Sequence, residues 1–296
     1  MKPVLAAADL ALCHLEVPLT ADHRDLSSYP VFNAPHELAE AIADAGYDGC
    51  STASNHAVDQ GVPGVLATLD ALGQHGVPAA GTARTQAEAD TVELYQAAGV
   101  TVGHLSYTYG LNGFPLPAAA PWSVNLIDPE RVVADAQRAR DQGAEVVVVS
   151  LHWGTEYRHE PTEQQRAVAS RLATAAEIDL ILGHHAHVVQ PIERVGDTVV
   201  VYGMGNFLSA QSRPATQDGV IVQVTITEAP GKRGRGDFTV TDVAYTPTWV
   251  ERWSYRILPT PRLVADPATT AALRAELIRS QERTASVVGA GARVSG

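Results

Sequence analysis

The stretch Ile178-Asp179-Leu180-Ile181-Leu182-Gly183-His184-His185-Ala186-His187 decides the fold. Its first half is a short apolar run of the kind that forms a buried strand. Its second half places three of the chain's eleven histidines within four positions, where that strand runs into a loop. Neutral imidazole is the commonest metal ligand, and a strand that delivers His-x-His into a loop can aim two rings at one point. A metal site is therefore expected here, with the other ligands supplied from elsewhere in the chain.

Outward from that run, helical and strand patterns alternate. Apolar or β-branched runs at 9–14, 47–54, 145–151, 178–182 and 198–202 read as strands. Val92–Gln96 and Val100–Ser106 flank Gly99 and read as a hairpin. Helical spacing covers 35–45 with Asn33 as N-cap, then 63–75, then 129–142 between Asp128 and the stop at Gly143, then 161–176. Strands at 220–227 and 238–246 follow, joined by a Gly- and Pro-rich turn at 229–236. A weakly hydrophobic helix at 267–287 and a disordered Gly-rich end at 289–296 close the chain. The pattern is α/β, then more hairpin-like, with no internal repeat and no linker, which reads as one domain.

Polar groups recur at the carboxyl ends of these strands. Glu16 follows the first, and Asn55, His56 and Asp59 follow the second. His152 and Glu156 follow the β-branched strand, His184, His185 and His187 the next, and Asn206 the one after it. Each alone has an ordinary reading: His152 as a core residue, Asn55 as a turn, Glu156 as a loop cap, Asp59-Gln60-Gly61 as a turn before a helix. Those readings do not explain why all share one sheet edge, which is where open α/β sheets bind ligands. Histidine, amide and carboxylate groups converging there suit a two-metal hydrolytic site. His23, His36, His75, His104 and His159 lack such company and read as structural or exposed.

Composition bounds the partners. A net charge of −12 over 296 residues excludes a nucleic-acid partner, which needs clustered Lys and Arg. The basic run Lys232-Arg233-Gly234-Arg235 reads as a solvated hairpin tip. Cys13 and Cys50 are too few for a disulfide framework and read as buried thiols. No apolar run reaches the ~20 residues of a membrane span. Asp9 interrupts the apolar N-terminus and Leu12 precedes Cys13 where a lipoprotein box needs a small residue, so a strand from about Ala8 is expected rather than a signal peptide, and the chain as written reads as cytoplasmic. The loop Tyr107-Thr108-Tyr109-Gly110-Leu111-Asn112-Gly113-Phe114 reads either as a pocket lining or as a surface loop packed by its own aromatics.

Five ordered segments carry a resemblance. Ala8-Asp9-Leu10-Ala11-Leu12-Cys13-His14-Leu15-Glu16 resembles D-x-x-x-x-N-L-E. Ser54-Asn55-His56-Ala57-Val58-Asp59-Gln60-Gly61 resembles N-N-H-x-x-D-x-G. Leu151-His152-Trp153-Gly154-Thr155-Glu156-Tyr157 resembles H-W-G-x-E-Y. Gly183-His184-His185-Ala186-His187-Val188-Val189-Gln190 resembles G-H-H-P-H-V-x-Q, and Tyr202-Gly203-Met204-Gly205-Asn206-Phe207 resembles Y-S-L-G-N-F. Together they resemble the poly-γ-glutamate capsule biosynthesis protein CapA family, of the calcineurin-like metallophosphatases, over Ala8 to Gln211.

The resemblance implies a sandwich of two mixed sheets flanked by helices, with a CapA-like domain over 1–262 and a C-terminal helix and tail over 263–296. It implies two divalent ions, Mn, Fe or Zn. Asn55, His152, His185 and His187 would be ligands, and Glu16 a ligand or its partner. His185 is favoured over His184 by strand alternation and by its spacing to His187. His56 would protonate the leaving group, with Asp59 beside it in the catalytic set. His14, Glu156, His184 and Asn206 would support the ligands. The substrate would be an anionic small molecule or polymer, and the reaction phosphoester hydrolysis tied to capsule or cell-envelope polymer synthesis. The alternative is a noncatalytic component of polyglutamate capsule assembly or export. Two departures stand out. The family's opening Gly-Asp strand has no counterpart, which implies either a start upstream, with an extracytoplasmic or anchored protein, or a shed strand whose exposed sheet edge a second subunit would cover. His14 stands where the commoner form has Asn.

Overall fold

The computed structural model describes residues 1–229 and 237–295. The turn expected at 229–236 and the basic run Lys232 to Arg235 lie outside the described residues, apart from Ala229 at the turn's edge. Two compact units divide the chain, residues 2–152 and residues 153–296.

The first unit opens with helix α1 (Lys2–Leu5), so the extreme N-terminus is helical and the first strand, β1 (Leu12–His14), begins later than the sequence pattern suggests. Helix α2 (Glu37–Ala45), β2 (Gly49–Ser51), α3 (Gly61–Gln74), β3 (Ala79–Ala80) and α4 (Gln86–Ala89) follow. Strands β1, β2 and β3 form a parallel sheet in that order. The β1–β2 register sets Cys13 opposite Cys50 with Cα atoms 4.4 Å apart, and the two form a disulfide rather than the separate thiols expected. In-register parallel pairing, invisible in a count of two cysteines, is the reason. Helix α2 is capped by His36 with no side-chain bond, not by Asn33. The Asn33 amide instead donates to the carbonyls of Arg24 and Asp25, holding the preceding loop.

Strand β4 (Glu93–Ala97) pairs antiparallel with β5 (Val100–Thr108), as the pattern around Gly99 requires. Helix α5 (Pro129–Asp141) then leads to β6 (Val146–His152), parallel to β5. Helix α5 starts where Asp128 accepts from the Glu130 N–H and Pro129 supplies a preset φ. Every residue of β6 is buried, which accounts for its unbroken run of valines. Tyr107 Oη donates to Asp135 Oδ2 at 2.8 Å and fastens α5 to β5.

In the second unit, α6 (Glu163–Leu172) begins in a capping box between Thr162 and Gln165. Strand β7 (Leu180–His184) carries the opening motif. It pairs parallel with β9 (Thr198–Val201), and β8 (Ile192–Val195) pairs antiparallel with β9. A 3-10 turn at Pro214–Thr216 leads to the long antiparallel ribbon β10 (Asp218–Ala229) and β11 (Asp237–Glu251), with β12 (Arg256–Pro259) beside β11. Helices α7 (Thr260–Ala265) and α8 (Ala271–Val288) follow. A 3-10 turn at Gly289–Gly291 then brings β13 (Arg293–Val294) alongside β11, so a segment expected to be disordered is ordered by two ladder residues. Among the described residues no helix is long and apolar enough to cross a membrane.

Candidate metal centre

In the first unit the chain folds so that β1, β2 and β6 all end at one group of side chains. Ser54 ties the first two ends together: its hydroxyl donates to the Glu16 carbonyl and accepts from the His56 N–H. His152, the last residue of β6, is 1% exposed. Its Nε2 lies 2.8 Å from Asn55 Oδ1 and 3.8 Å from Glu16 Oε1. Its Nδ1 lies 3.0 Å from His14 Nε2. The Tyr109 ring lies nearly parallel to the imidazole, 9° between planes and 6.4 Å between centroids. Asn55 Nδ2 donates to Asn112 Oδ1 at 3.0 Å, which turns Asn55 Oδ1 toward His152.

Beside this group stands a carboxylate–imidazole pair. His56 Nδ1 donates to Asp59 Oδ2 at 2.7 Å, and the Asp59 side chain is 1% exposed. The same oxygen accepts from the Phe32 N–H at 2.7 Å, so the carboxylate is locked before it receives the histidine. The Phe32 ring meets the imidazole edge-on, 4.7 Å between centroids. With Nδ1 committed to Asp59, Nε2 is the nitrogen available to give or take a proton.

The second unit presents its own donors beyond β7. His185 and His187 both adopt left-handed backbone, φ 87° and 56°, so the chain turns twice as it leaves the strand. That turn sets their ring centroids 6.2 Å apart. Left-handed histidines cost energy and persist where the surroundings over-determine them. Here the surroundings are tight. A Cβ on Gly183 would lie 1.9 Å from the Tyr202 carbonyl oxygen and 2.6 Å from Trp153 Nε1. Trp153 Nε1 donates to that same carbonyl, and the Tyr157 N–H donates to the Ala186 carbonyl.

Asn206 decides the tautomer of His187. Its Nδ2 donates to the Thr216 carbonyl at 2.8 Å and to Gln211 Oε1 at 3.3 Å. Oδ1 must therefore face His187 Nδ1, 3.0 Å away, and accept its proton. His187 Nε2 is left as a lone pair, the form a metal takes. The Tyr157 ring stacks on His187 at 6.0 Å, and the Arg213 guanidinium lies 4.6 Å above the far ring of that pair, Tyr157.

The expected residues thus fall into two sets. Glu16, His14, Asn55, His56, Asp59 and His152 gather in the first unit, and His185, His187 and Asn206 in the second. Among the described residues Glu156 makes no hydrogen bond or ion pair, and it does not join them as a support. His184 ends β7 with its carbonyl accepting from the Trp153 N–H, while the His185 ring lies tilted by 51° to that of His187. Asn112 and Tyr109 were not singled out from sequence. The loop that carries them was, and the signal available was an amide directly before a glycine, Asn112-Gly113, where Asn112 takes up φ 51°.

In the first unit a carboxylate, an amide oxygen and an imidazole with His14 behind it are donors that suit a divalent cation, and in the second unit His187, with Asn206 behind it, is a donor of the same kind. A comparison of sequence families decides the lineage: residues 1–211 match the family model described as bacterial capsule synthesis protein PGA_cap. The chain belongs to this family. Within the range of that match lie all five segments quoted above. A similar protein is the PGA biosynthesis protein CapA of Bacillus subtilis, 31% identical over 247 residues, covering 82% of this chain and 63% of the relative. The chain therefore spans under two thirds of that protein's length. Among solved structures, a putative 5'-nucleotidase from Staphylococcus aureus is similar with a TM-score of 0.50 and 18% identity, over 83% of this chain and 44% of the other. The calcineurin-like phosphoesterase YfkN of Bacillus subtilis is 14% identical, with a TM-score of 0.47, over 84% of this chain and 74% of that one. These likenesses concern the fold alone: an α/β chain of mixed sheets and helices.

Proposed function

We propose that this PGA_cap protein is a metal-dependent hydrolase of phosphoesterase type that serves the synthesis of poly-γ-glutamate capsule or a related envelope polymer. The polymer comes from the name of its Bacillus relative, and the chemistry from the side chains. The metal donors of this reading are Glu16, Asn55 and His152 in the first unit and His185 and His187 in the second. Two divalent ions held by such donors would supply Lewis acidity and lower the pKa of bound water.

The observation that carries the reading is the Asp59–His56 pair. Asp59, fixed by the Phe32 N–H, accepts the Nδ1 proton of His56 and sets which nitrogen faces outward. With a second proton taken up on Nε2, the His56 imidazolium held by Asp59 would pass that proton to the departing oxygen of an ester and return to the neutral ring, a role worth about 10²–10⁴-fold in rate. Asn112 lies 3.3–3.4 Å from the two His56 ring nitrogens and holds Asn55 as well, so one amide aligns the proton donor with a metal ligand. Arg213, laid over Tyr157 in a chain of net charge −12, offers a local cation for an anionic substrate.

The test is turnover of p-nitrophenyl phosphate by metal-stripped protein reloaded with Mn, Fe or Zn, alongside metal stoichiometry. Two tightly held ions and turnover that falls at least 100-fold in His56→Ala support the reading. Absence of both turnover and bound metal overturns it in favour of a noncatalytic assembly role. Turnover unchanged in His56→Ala removes His56 as the acid.

A further inference from the structure

Behind His152 runs a line of hydrogen bonds that leads away from Glu16 and Asn55. His152 Nδ1 is 3.0 Å from His14 Nε2, and His14 Nδ1 is 2.9 Å from Ser51 Oγ. The Ser51 hydroxyl is in turn 3.3 Å from the Cys13 carbonyl oxygen. His14 and Ser51 stand opposite each other in the β1–β2 register, and His152 is the last residue of β6.

A neutral imidazole carries one N–H, so such a line has a direction. The Cys13 carbonyl can only accept. If Ser51 gives its proton there, Ser51 Oγ accepts from His14 Nδ1. His14 Nε2 is then a bare lone pair and accepts from His152 Nδ1. His152 Nε2 is left without a proton, facing Asn55 Oδ1 and Glu16 Oε1. Asn112 prevents Asn55 from turning its amide nitrogen inward to relieve this. Three lone-pair atoms meeting in this way repel one another unless a cation lies among them. In the opposite sense, Ser51 donates to His14, His14 to His152, and His152 Nε2 to Asn55. That arrangement gives His152 Nε2 an acceptor in Asn55 with no ion present, while the Ser51 proton leaves the Cys13 carbonyl. The same side chains therefore serve both states, and the direction of the line distinguishes them.

We propose that His14 is a positioning residue for metal binding, accepting the Nδ1 proton of His152 so that the Nε2 lone pair is directed at the ion shared with Glu16 and Asn55. The proposal rests on the metal-dependent reading above. It makes the histidine at position 14, a departure from the Asn of the D-x-x-x-x-N-L-E pattern, a working part of the centre rather than a defect. An Asn there would offer the same service through its side-chain oxygen, whereas an aliphatic residue would not.

The experiment titrates the full-length, metal-stripped chain with Zn²⁺ against a competing chelator, in wild type, His14→Leu and His14→Asn. The tautomer of His152 is read from ¹⁵N shifts in the Zn²⁺-loaded wild type. His14→Leu is expected to weaken Zn²⁺ binding about 10–100-fold, the usual cost of losing a partner behind a metal-bound histidine. His14→Asn is expected to bind close to wild type, and the loaded protein to carry its His152 proton on Nδ1. A residue with only a packing role would lose affinity equally in both variants, and that result overturns the proposal. So does His14→Leu binding as tightly as wild type, or a His152 proton found on Nε2 in the loaded protein. Wild type that binds no Zn²⁺, Mn²⁺ or Fe²⁺ would instead overturn the metal-dependent reading, and this proposal with it.

Discussion

Acid should unfold this protein through a histidine that takes no part in the proposed chemistry. His104, on β5, is 1% exposed, with Nε2 2.9 Å from Ser150 Oγ on β6. Among the described residues its Nδ1 has no hydrogen-bond partner. Burial lowers its pKa from 6.5 to about 4, because a charged ring has no compensating group nearby. In the unfolded chain the ring takes its proton near pH 6.5; in the folded chain it refuses until about pH 4. Between those values the unfolded state binds one more proton, so stability is full above pH 6.5 and is lost as pH falls through the window. A depression of about 2.5 units is worth about 3 kcal/mol, with a slope near 1.4 kcal/mol per pH unit. That is a large share of the roughly 5–15 kcal/mol that holds a domain folded. Urea unfolding of wild type and His104→Gln, measured at pH 7, 6, 5 and 4.5, isolates this group from the other histidines. Glutamine cannot titrate, so whatever gap separates the two proteins at pH 7 should shift in favour of the variant by about 1.4 kcal/mol for each unit below pH 6. Curves that stay parallel from pH 7 to 4.5 would refute the reasoning.

Two further substitutions probe the second unit. Gly183→Ala would drive a methyl into the Tyr202 carbonyl that Trp153 Nε1 also binds, forcing β7 from β9 where the histidines emerge; a loss of about 2–3 kcal/mol in urea unfolding is expected, and near-wild-type stability would contradict the tightness of that crossing. Arg283 holds the 3%-exposed Asp218 through two bonds of 2.7 and 2.8 Å, although burial still pushes that carboxyl above its ordinary range. Arg283→Met should cost about 3 kcal/mol at pH 7. The deficit should narrow as pH is lowered and Asp218 takes up a proton; a deficit independent of pH would refute the pairing as its cause.

Much of the candidate site could be read as a set of strand ends. Apolar runs at 145–151 and 178–182 stop at histidines, and both runs are strands in the structure. Strand alternation and the spacing to His187 favour His185 over His184, and the His185 and His187 ring centroids lie 6.2 Å apart. What sequence could not show was geometry made by register. Cys13 and Cys50 lie 37 positions apart, and only the parallel β1–β2 pairing brings them together. Asn112 lies 57 positions from Asn55, in a loop whose composition suited a pocket lining and a surface loop equally. The ordered C-terminal strand escaped notice for a related reason: two residues among glycines have no periodicity to read, and β11 supplies the ladder that fixes them.

The same register argument changes the meaning of a substitution. Read along the chain, His14 is an exception to a pattern and invites the view that the centre is degenerate. In the fold it stands between Ser51 and His152, at hydrogen-bonding distance from both, on a strand whose neighbour supplies the serine. A residue that had merely drifted would have no reason to keep both ring nitrogens in use, one toward the sheet and one toward a buried histidine 138 positions away. Either nitrogen alone could be chance. The two together suit the proposed part of His14 as a link to His152 Nε2, beside Asn55 Oδ1 and Glu16 Oε1.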